Sequence, residues 1–321
     1  MSSPEVTVVV PTHNRWSHLR RAALPAALGQ REVELELIVV DDGSADETPR
    51  GLAELADPRL HVLRNDVAQG VARARNRGVA AASASWVAFL DDDDLWSPWK
   101  LRRQLDAVAA VEGAGFAYAA AIFLDGAGAP LRPDPAPPAE TVARELRARD
   151  VVGGPSTVLA RTELVRELGG FDEALSVLAD WDLWLRLAEL APAAASPEVL
   201  VAYREHGDNM SAETAQGVFA ELDVVRRRHG LGSELDGVEF TRWVAGHQRR
   251  AGRPVAAARA YLHGARRFRS GALLVRGLGA PFGERAMGIP AKLRALRGER
   301  AEVLSPEWLD AYPGLVEPDC A

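Results

Sequence analysis

With 321 residues, 47% of them hydrophobic, the chain can build one large domain plus an appendage, and no apolar run is long enough to cross a bilayer. The net charge of −7 is unevenly shared: residues 216–321 hold 17 Lys and Arg against 12 Asp and Glu, so residues 1–215 are net negative by 12, which argues against nucleic acid as a partner. One cysteine, Cys320, excludes an intramolecular disulfide and a cysteine-built zinc site, and the start Met1-Ser2-Ser3-Pro4-Glu5 lacks a basic-then-apolar leader, so a cytoplasmic location is expected.

Residues 6–10 are apolar and β-branched, which predicts a buried strand, and they run into the rigid polar turn Pro11-Thr12-His13-Asn14-Arg15. A helix is expected near 16–28. A second strand over 35–40 ends in Asp41-Asp42-Gly43-Ser44, with Asp46 and Thr48 just beyond, an acidic turn leading into a helix near 46–56. A strand over 60–64, a helix over 70–82, a strand over 86–90 and a helix over 98–112 continue the alternation of a parallel sheet wrapped by helices. Residues 116–124 read as a further strand, the Gly- and Pro-rich stretch 126–138 as an exposed mobile loop, 157–160 as a strand and 162–168 as a helix. Beyond 215 strand signals vanish. Residues 240–251 and 254–268 predict a helical hairpin with Pro254 in the first turn, like one tetratricopeptide-type unit without a second copy. The last fifteen residues are expected to be loose. Two domains follow, 1–215 and 216–321.

The stretch Phe89-Leu90-Asp91-Asp92-Asp93-Asp94-Leu95-Trp96 is the most informative. Four carboxylates at that spacing repel strongly in a partly dry site, and a hard divalent cation bridging them to phosphates offsets the charge economically. The alternative is an acidic loop capping the helix that starts near Ser97-Pro98. Ligands of open α/β sheets sit beyond the carboxyl ends of the strands, and here three such ends are polar and two are acidic.

The same residues carry a family resemblance. The turn Pro11–Arg15, the run Val40-Asp41-Asp42-Gly43-Ser44-Ala45-Asp46-Glu47-Thr48, the run Ala74-Arg75-Asn76-Arg77-Gly78 and the fourfold aspartate resemble the family 2 glycosyltransferases of the GT-A fold. So do Gly169-Gly170-Phe171-Asp172-Glu173, Asp180-Trp181-Asp182-Leu183-Trp184 and Tyr203-Arg204-Glu205-His206-Gly207-Asp208-Asn209. The likeness spans roughly residues 4–210. It implies an α/β, Rossmann-like fold with a mixed, mostly parallel sheet, helices on both faces and a helical C-terminal extension. It also implies metal-dependent, inverting transfer of a sugar from a UDP-, GDP- or dTDP-sugar to a sugar, lipid-linked or other hydroxyl, with Mn²⁺ or Mg²⁺ as cofactor.

Residue by residue, the resemblance puts the metal on Asp93, with Asp91 in support and Asp92 toward the ribose. Asp42 falls on the base, where Pro11 and Thr12 shape the pocket, and Asn14, Arg15, Asp41 and Asn76 join the nucleotide-sugar site. Arg73 and Arg75 are candidates for the diphosphate, a solvated helix surface being the other reading. Asp180 corresponds to the base that accepts the proton, although Ala179 stands where the family usually has Glu. His206 is a candidate metal ligand or a simple hydrogen-bonding group. Trp96, Trp99, Trp181 and Trp184 offer a stacking face, at least two of them as core, with Trp181 and Trp184 assigned to the acceptor side. Arg226-Arg227-Arg228, Arg249-Arg250 and Arg266-Arg267 with Arg269 read as a solvated helix face first and a peripheral membrane contact second. Two other readings compete: a sugar-phosphate nucleotidyltransferase, which needs a glycine-rich basic loop where Pro11–Arg15 stands, and a non-catalytic binding scaffold, which has no use for both Asp93 and Asp180.

Overall fold

The computed structural model describes residues 3–205, 215–282 and 306–312. The chain divides into two compact units, one of Met1–Leu146, Asp150–Arg204 and Leu304–Ala321, the other of Arg147–Arg149 and Glu205–Val303.

The first unit is built on a nine-stranded sheet. In chain order its described elements are β1 (Val6–Thr12), α1 (Trp16–Arg21), α2 (Ala23–Leu28), β2 (Leu35–Asp41), α3 (Thr48–Ala53), β3 (Leu60–Arg64), α4 (Val71–Ala81), β4 (Trp86–Phe89), β5 (Leu95–Trp96), α5 (Lys100–Ala109), β6 (Phe116–Leu124), β7 (Pro130–Asp134), α6 (Ala139–Leu146), β8 (Val158–Arg161), α7 (Thr162–Glu167), α8 (Ala179–Leu190) and β9 (Ala193–Arg204). The sheet order is β3-β2-β1-β4-β8-β6-β9-β5, with β7 paired to β6. β1, β2, β3, β4, β6 and β9 run one way; β5, β7 and β8 run the other. The sheet is therefore mixed and mostly parallel, as the motifs imply. After β3 the chain crosses back to place β4 on the far side of β1, so the order reverses between β1 and β4. Such a reversal opens a crevice beyond the strand ends.

Every residue of β1 is buried, and α4 lies so close that a Cβ on Gly78 would sit 2.3 Å from Val9 Cγ1. Only a glycine admits that approach. Beneath β5, Lys100 is fully buried with its Nζ 3.7 Å from the centre of the Trp96 ring and 3.5 Å from the Val158 carbonyl oxygen. Burial drives its pKa well below the usual lysine value.

Three expectations need correction. The helix expected near 16–28 is two helices, because Ala22 closes the first turn-run through its N–H to the His18 carbonyl while the second begins at Ala23. Residues 130–134, read as part of a mobile loop, form β7 against β6, since alternate side chains can face the sheet even beside Pro130 and Pro133 at an edge position. Within the final stretch expected to be loose, Glu307–Ala311 form a 3₁₀ turn that returns to the first unit: Trp308 Nε1 donates to the Val199 carbonyl at 2.8 Å and the Tyr312 hydroxyl donates to the Trp96 carbonyl at 2.7 Å. Indole and phenol tips with partners of this kind are what secure a short segment.

The second unit is helical, with α9 (Ala215–His229), α10 (Gly237–Arg250), α11 (Pro254–Arg267) and α12 (Gly271–Gly279). α10 and α11 form the hairpin that the sequence predicts, with Pro254 in the first turn of α11. Asp236 caps α10 by accepting from Glu239 N–H, and Arg267 pairs with Asp223 of α9.

Candidate active site

The crevice between the ends of β1 and β4 gathers the residues that the sequence singled out. Asp94 N–H donates to the Asp91 carbonyl, closing a turn that displays Asp91, Asp92 and Asp93. From β1, Thr12 Oγ1 donates to Asp92 Oδ2 at 2.8 Å. Arg15 reaches the same tip, with Nη2 2.6 Å from Asp93 Oδ2 and Nε 3.3 Å from Asp92 Oδ1. From α4, Arg75 pairs with Asp91 while its guanidinium lies 5.3 Å from the centre of the Phe171 ring.

These cations do not balance four acids. Burial, reinforced by Asp93 and Asp91, pushes the Asp92 carboxyl up to about 8 despite Arg15 and Thr12. Asp94, fully enclosed, is held well above the carboxylate range by burial and by the three neighbouring aspartates. Buried acids crowded in this way gain from any added positive charge.

One residue organising this turn escaped the motif reading. Ser156, buried just before β8, donates from Oγ to Asp94 Oδ2 at 2.6 Å, accepts from Asp91 N–H at 3.0 Å, and offers its carbonyl to Trp96 Nε1 at 2.8 Å. The run Gly153-Gly154-Pro155 ahead of it was the available signal, a turn placed directly before a strand.

The end of β2 is arranged differently. Asp41 accepts from Ser44 N–H at 2.9 Å and pairs with Arg64. Asp42 accepts from Asn65 Nδ2 at 2.6 Å, from Gln69 N–H at 2.9 Å and from Gly70 N–H at 2.8 Å, so this carboxylate sits where α4 begins. Each of its oxygens already holds a bond from its own chain, and a nucleobase would have to add to these or displace one. Asn14 adopts a left-handed φ of 55°, which asparagine tolerates, and its Oδ1 accepts from Ala45 N–H at 2.7 Å. Pro11 pairs in register with Val40 inside the sheet.

Across from the aspartate turn, Asp180 lies in the first turn of α8, half-buried, with Oδ1 accepting from Trp181 N–H at 2.8 Å. Burial raises its pKa to about 6, Arg75 draws it down, and Asp91 raises it. Arg75 is thus the cation shared by the turn and by Asp180. Two residues on, buried Asp182 pairs with Arg186 at 2.8 Å, and Arg186 also donates to the Leu168 and Gly170 carbonyls.

Several candidates are placed elsewhere. Asn76 is spent on the backbone of Phe171, donating to its carbonyl and accepting from its N–H, both at 2.8 Å, against a Gly170 whose Cβ would lie 2.2 Å from Asn76 Oδ1. These bonds fix the orientation of the amide against the backbone of Phe171. Arg73 is exposed and pairs with Glu173 at 2.7 Å. Trp181 and Trp184, assigned to the acceptor side, are 1% and 0% exposed and donate to the Leu146 and Gly153 carbonyls, so neither presents a face for a sugar to stack on. Their helical spacing is core spacing. Trp96 is likewise core, whereas Trp99 is exposed beneath Arg31. His206 lies outside the described residues.

The donors on the aspartate turn are oxygens only, the set that suits Mg²⁺ or Mn²⁺ held by one or two carboxylates plus waters and phosphate oxygens. Among the described residues no group of three or more His, Cys, Asp or Glu side chains is arranged to hold an ion unaided. An ion here would need a ligand's phosphates to complete its shell.

Comparison with known proteins bears on the same region. Residues 7–148 match the profile of Glycosyl transferase family 2. The "Succinoglycan biosynthesis protein ExoO" of Rhizobium meliloti is 43% identical over 103 residues, covering 32% of this chain and 29% of that protein. The "UDP-Glc:alpha-D-GlcNAc-diphosphoundecaprenol beta-1,3-glucosyltransferase WfgD" of Escherichia coli is 38% identical over 100 residues, 31% of this chain and 39% of that protein. The match thus spans well under half the length of these two relatives. The crystal structure of S. aureus TarS 1-349 in complex with UDP-GlcNAc superposes with a TM-score of 0.56 over 91% of this chain and 85% of that one, at 18% identity, and shares the fold. Residues 7–148 thus resemble the family 2 glycosyltransferases, and the sheet as a whole has the GT-A fold.

Proposed function

We propose that this protein is a metal-dependent, inverting glycosyltransferase that moves a sugar from a nucleotide-sugar to an acceptor hydroxyl. The observation that carries the reading is Asp180, one half-buried carboxylate with its pKa raised to about 6, sharing Arg75 with an aspartate turn that lacks positive charge. A base so poised is ionised at neutral pH and still avid for a proton. Asp93, with Asp91 in support, would hold a metal ion, which would supply Lewis-acid neutralisation of charge on the departing diphosphate. Thr12, Arg15 and Ser156 hold the turn in one geometry, and Arg75 orients Asp91 while tuning Asp180. Asp180 takes the proton of the acceptor hydroxyl as that oxygen attacks the anomeric carbon. Attack opposite the leaving diphosphate inverts the configuration there.

A UDP-linked donor is the first choice, because the TarS structure holds UDP-GlcNAc and the WfgD name specifies UDP-Glc. That name also specifies a lipid diphosphate acceptor, which supports a lipid-linked glycan as acceptor class and peripheral contact of a cytoplasmic enzyme with a membrane. No described helix is long and apolar enough to cross a membrane. Catalysis belongs to the sheet-bearing unit in this reading, and α9–α12 form a helical addition to it.

The test is incubation with UDP-, GDP- and dTDP-sugars with and without Mn²⁺ or Mg²⁺, following nucleoside diphosphate release and product anomeric configuration. Metal-dependent release with an inverted product is expected. Retention of configuration, release indifferent to chelator, or no binding of any nucleotide-sugar would each overturn the reading.

A further inference from the structure

The outer face of α12 is unlike any other described surface of the second unit. Leu274, Val275 and Leu278 are 46%, 53% and 62% exposed, and the other exposed positions of the helix are Gly271 and Ala272. At 100° per residue these five share one side. The opposite side is pinned: Leu273 is fully buried, and a Cβ on Gly277 would meet Leu262 Cδ2 of α11 at 2.8 Å. The helix therefore turns its back to α11 and presents an uninterrupted apolar stripe.

The sequence around the stripe carries charge of one sign, although Arg242, Arg250 and Arg267 pair with Glu239, Glu205 and Asp223 from outside it. Residues 240–283 contain nine arginines and no Asp or Glu. Arg266, in the last turn of α11, and Arg269, in the connection entering α12, are both exposed, and Arg276 lies within α12. A second copy of the same face would bring arginines against arginines, which opposes self-association. An apolar stripe flanked by arginines matches an anionic bilayer, where the side chains enter the acyl boundary and the guanidinium groups meet phosphate headgroups.

We propose that the outer face of α12, with Arg266, Arg269 and Arg276, docks this protein on an anionic lipid surface. This names the surface for the membrane contact in the functional reading above, yet it is measured without donor, metal or turnover, so either can fail alone.

The experiment is sedimentation of the full chain with vesicles of phosphatidylcholine and with vesicles in which one third of the lipid is phosphatidylglycerol. Binding about tenfold tighter to the anionic vesicles and weakened by salt is expected. The triple variant Leu274→Ser, Val275→Ser, Leu278→Ser should lose about tenfold in affinity. The exposed pair Arg266→Glu, Arg269→Glu should do the same, which keeps the test valid if the triple variant misfolds. A Leu278→Cys variant, followed by peptide mapping apart from Cys320, should label quickly with maleimide in solution and slowly on anionic vesicles. Equal binding by the variants, indifference of the wild type to lipid charge, or a dimer that the triple variant dissolves would overturn the proposal. Slow labelling without vesicles would also overturn it, since the face would already be covered by the rest of the chain.

Discussion

The ends of β2 and β4 lie on either side of β1, both rich in aspartate, and they are built on opposite plans. At β2 every carboxylate oxygen of Asp41 and Asp42 accepts a bond from its own chain, chiefly from Ser44, Arg64, Asn65, Gln69 and Gly70. At β4 four aspartates share Arg15, Arg75, Thr12 and Ser156, and burial, reinforced by the neighbouring acids, still raises the pKa of Asp92 and Asp94. Acid satisfied by its own chain has less to gain from a ligand. Acid left short of charge is an invitation to a ligand, because a cationic or phosphate-bridging group gains what the fold withheld.

That contrast can be broken most severely at the base. Asp180→Asn should reduce kcat by roughly 10²- to 10⁴-fold, the usual worth of a general base, with donor affinity unchanged by calorimetry. The same variant should be more stable than wild type at neutral pH. A carboxyl raised from 3.8 to about 6 binds more protons folded than unfolded, so its favourable contribution is complete below pH 3.8 and is lost as pH rises through 6. Thermal melts should show a gain for Asn at pH 8, at most about 3 kcal/mol, that vanishes near pH 4.

Asp93→Ala should cost roughly 10- to 100-fold in metal-dependent affinity for a nucleoside diphosphate, measured by titration with Mn²⁺ present. Its counterpart at β2, Asp42→Ala, should act on stability instead: it strands Asn65 and the Gln69 and Gly70 amides and should cost roughly 2–4 kcal/mol in denaturant unfolding. If Asp42→Ala folds normally but loses donor binding, the two strand ends are alike and the distinction fails. Ser156→Ala, which removes the donor to Asp94 and the acceptor for Asp91 N–H, should raise the KM for donor several-fold with little change in kcat, and Ser156→Thr should restore most of it. The gentlest effect is the pH profile of kcat/KM, which should climb through about pH 6 and then level as Asp180 ionises.

The parallel half of the sheet was plain in the sequence because its strands are short, apolar and punctuated by acidic or glycine turns. The rest of the sheet was harder: β7 hides behind prolines, β5 is two residues long, and β9 begins with Ala193-Ala194-Ala195, which has no strand signature. In the site, Asp91–Asp94 and Asp180 were legible as charge placed at strand and helix ends. Asn76, Trp181 and Trp184 were misplaced because motif position says nothing of whether an amide or an indole is spent on a backbone carbonyl. Ser156 stayed invisible, since one serine among many has no pattern until the fold brings residue 156 to residues 91 and 94.

The return of residues 306–312 has a practical meaning for anyone who trims this protein. The helices are threaded between two stretches of the sheet-bearing unit, so they are an insertion and not a dispensable tail. A version ending near 215 would discard Trp308 and Tyr312 and leave the carbonyls of Val199 and Trp96 unclaimed, the latter only two residues past the last aspartate. Weak donor binding by such a fragment would report a missing clasp, and it would say nothing about the helices.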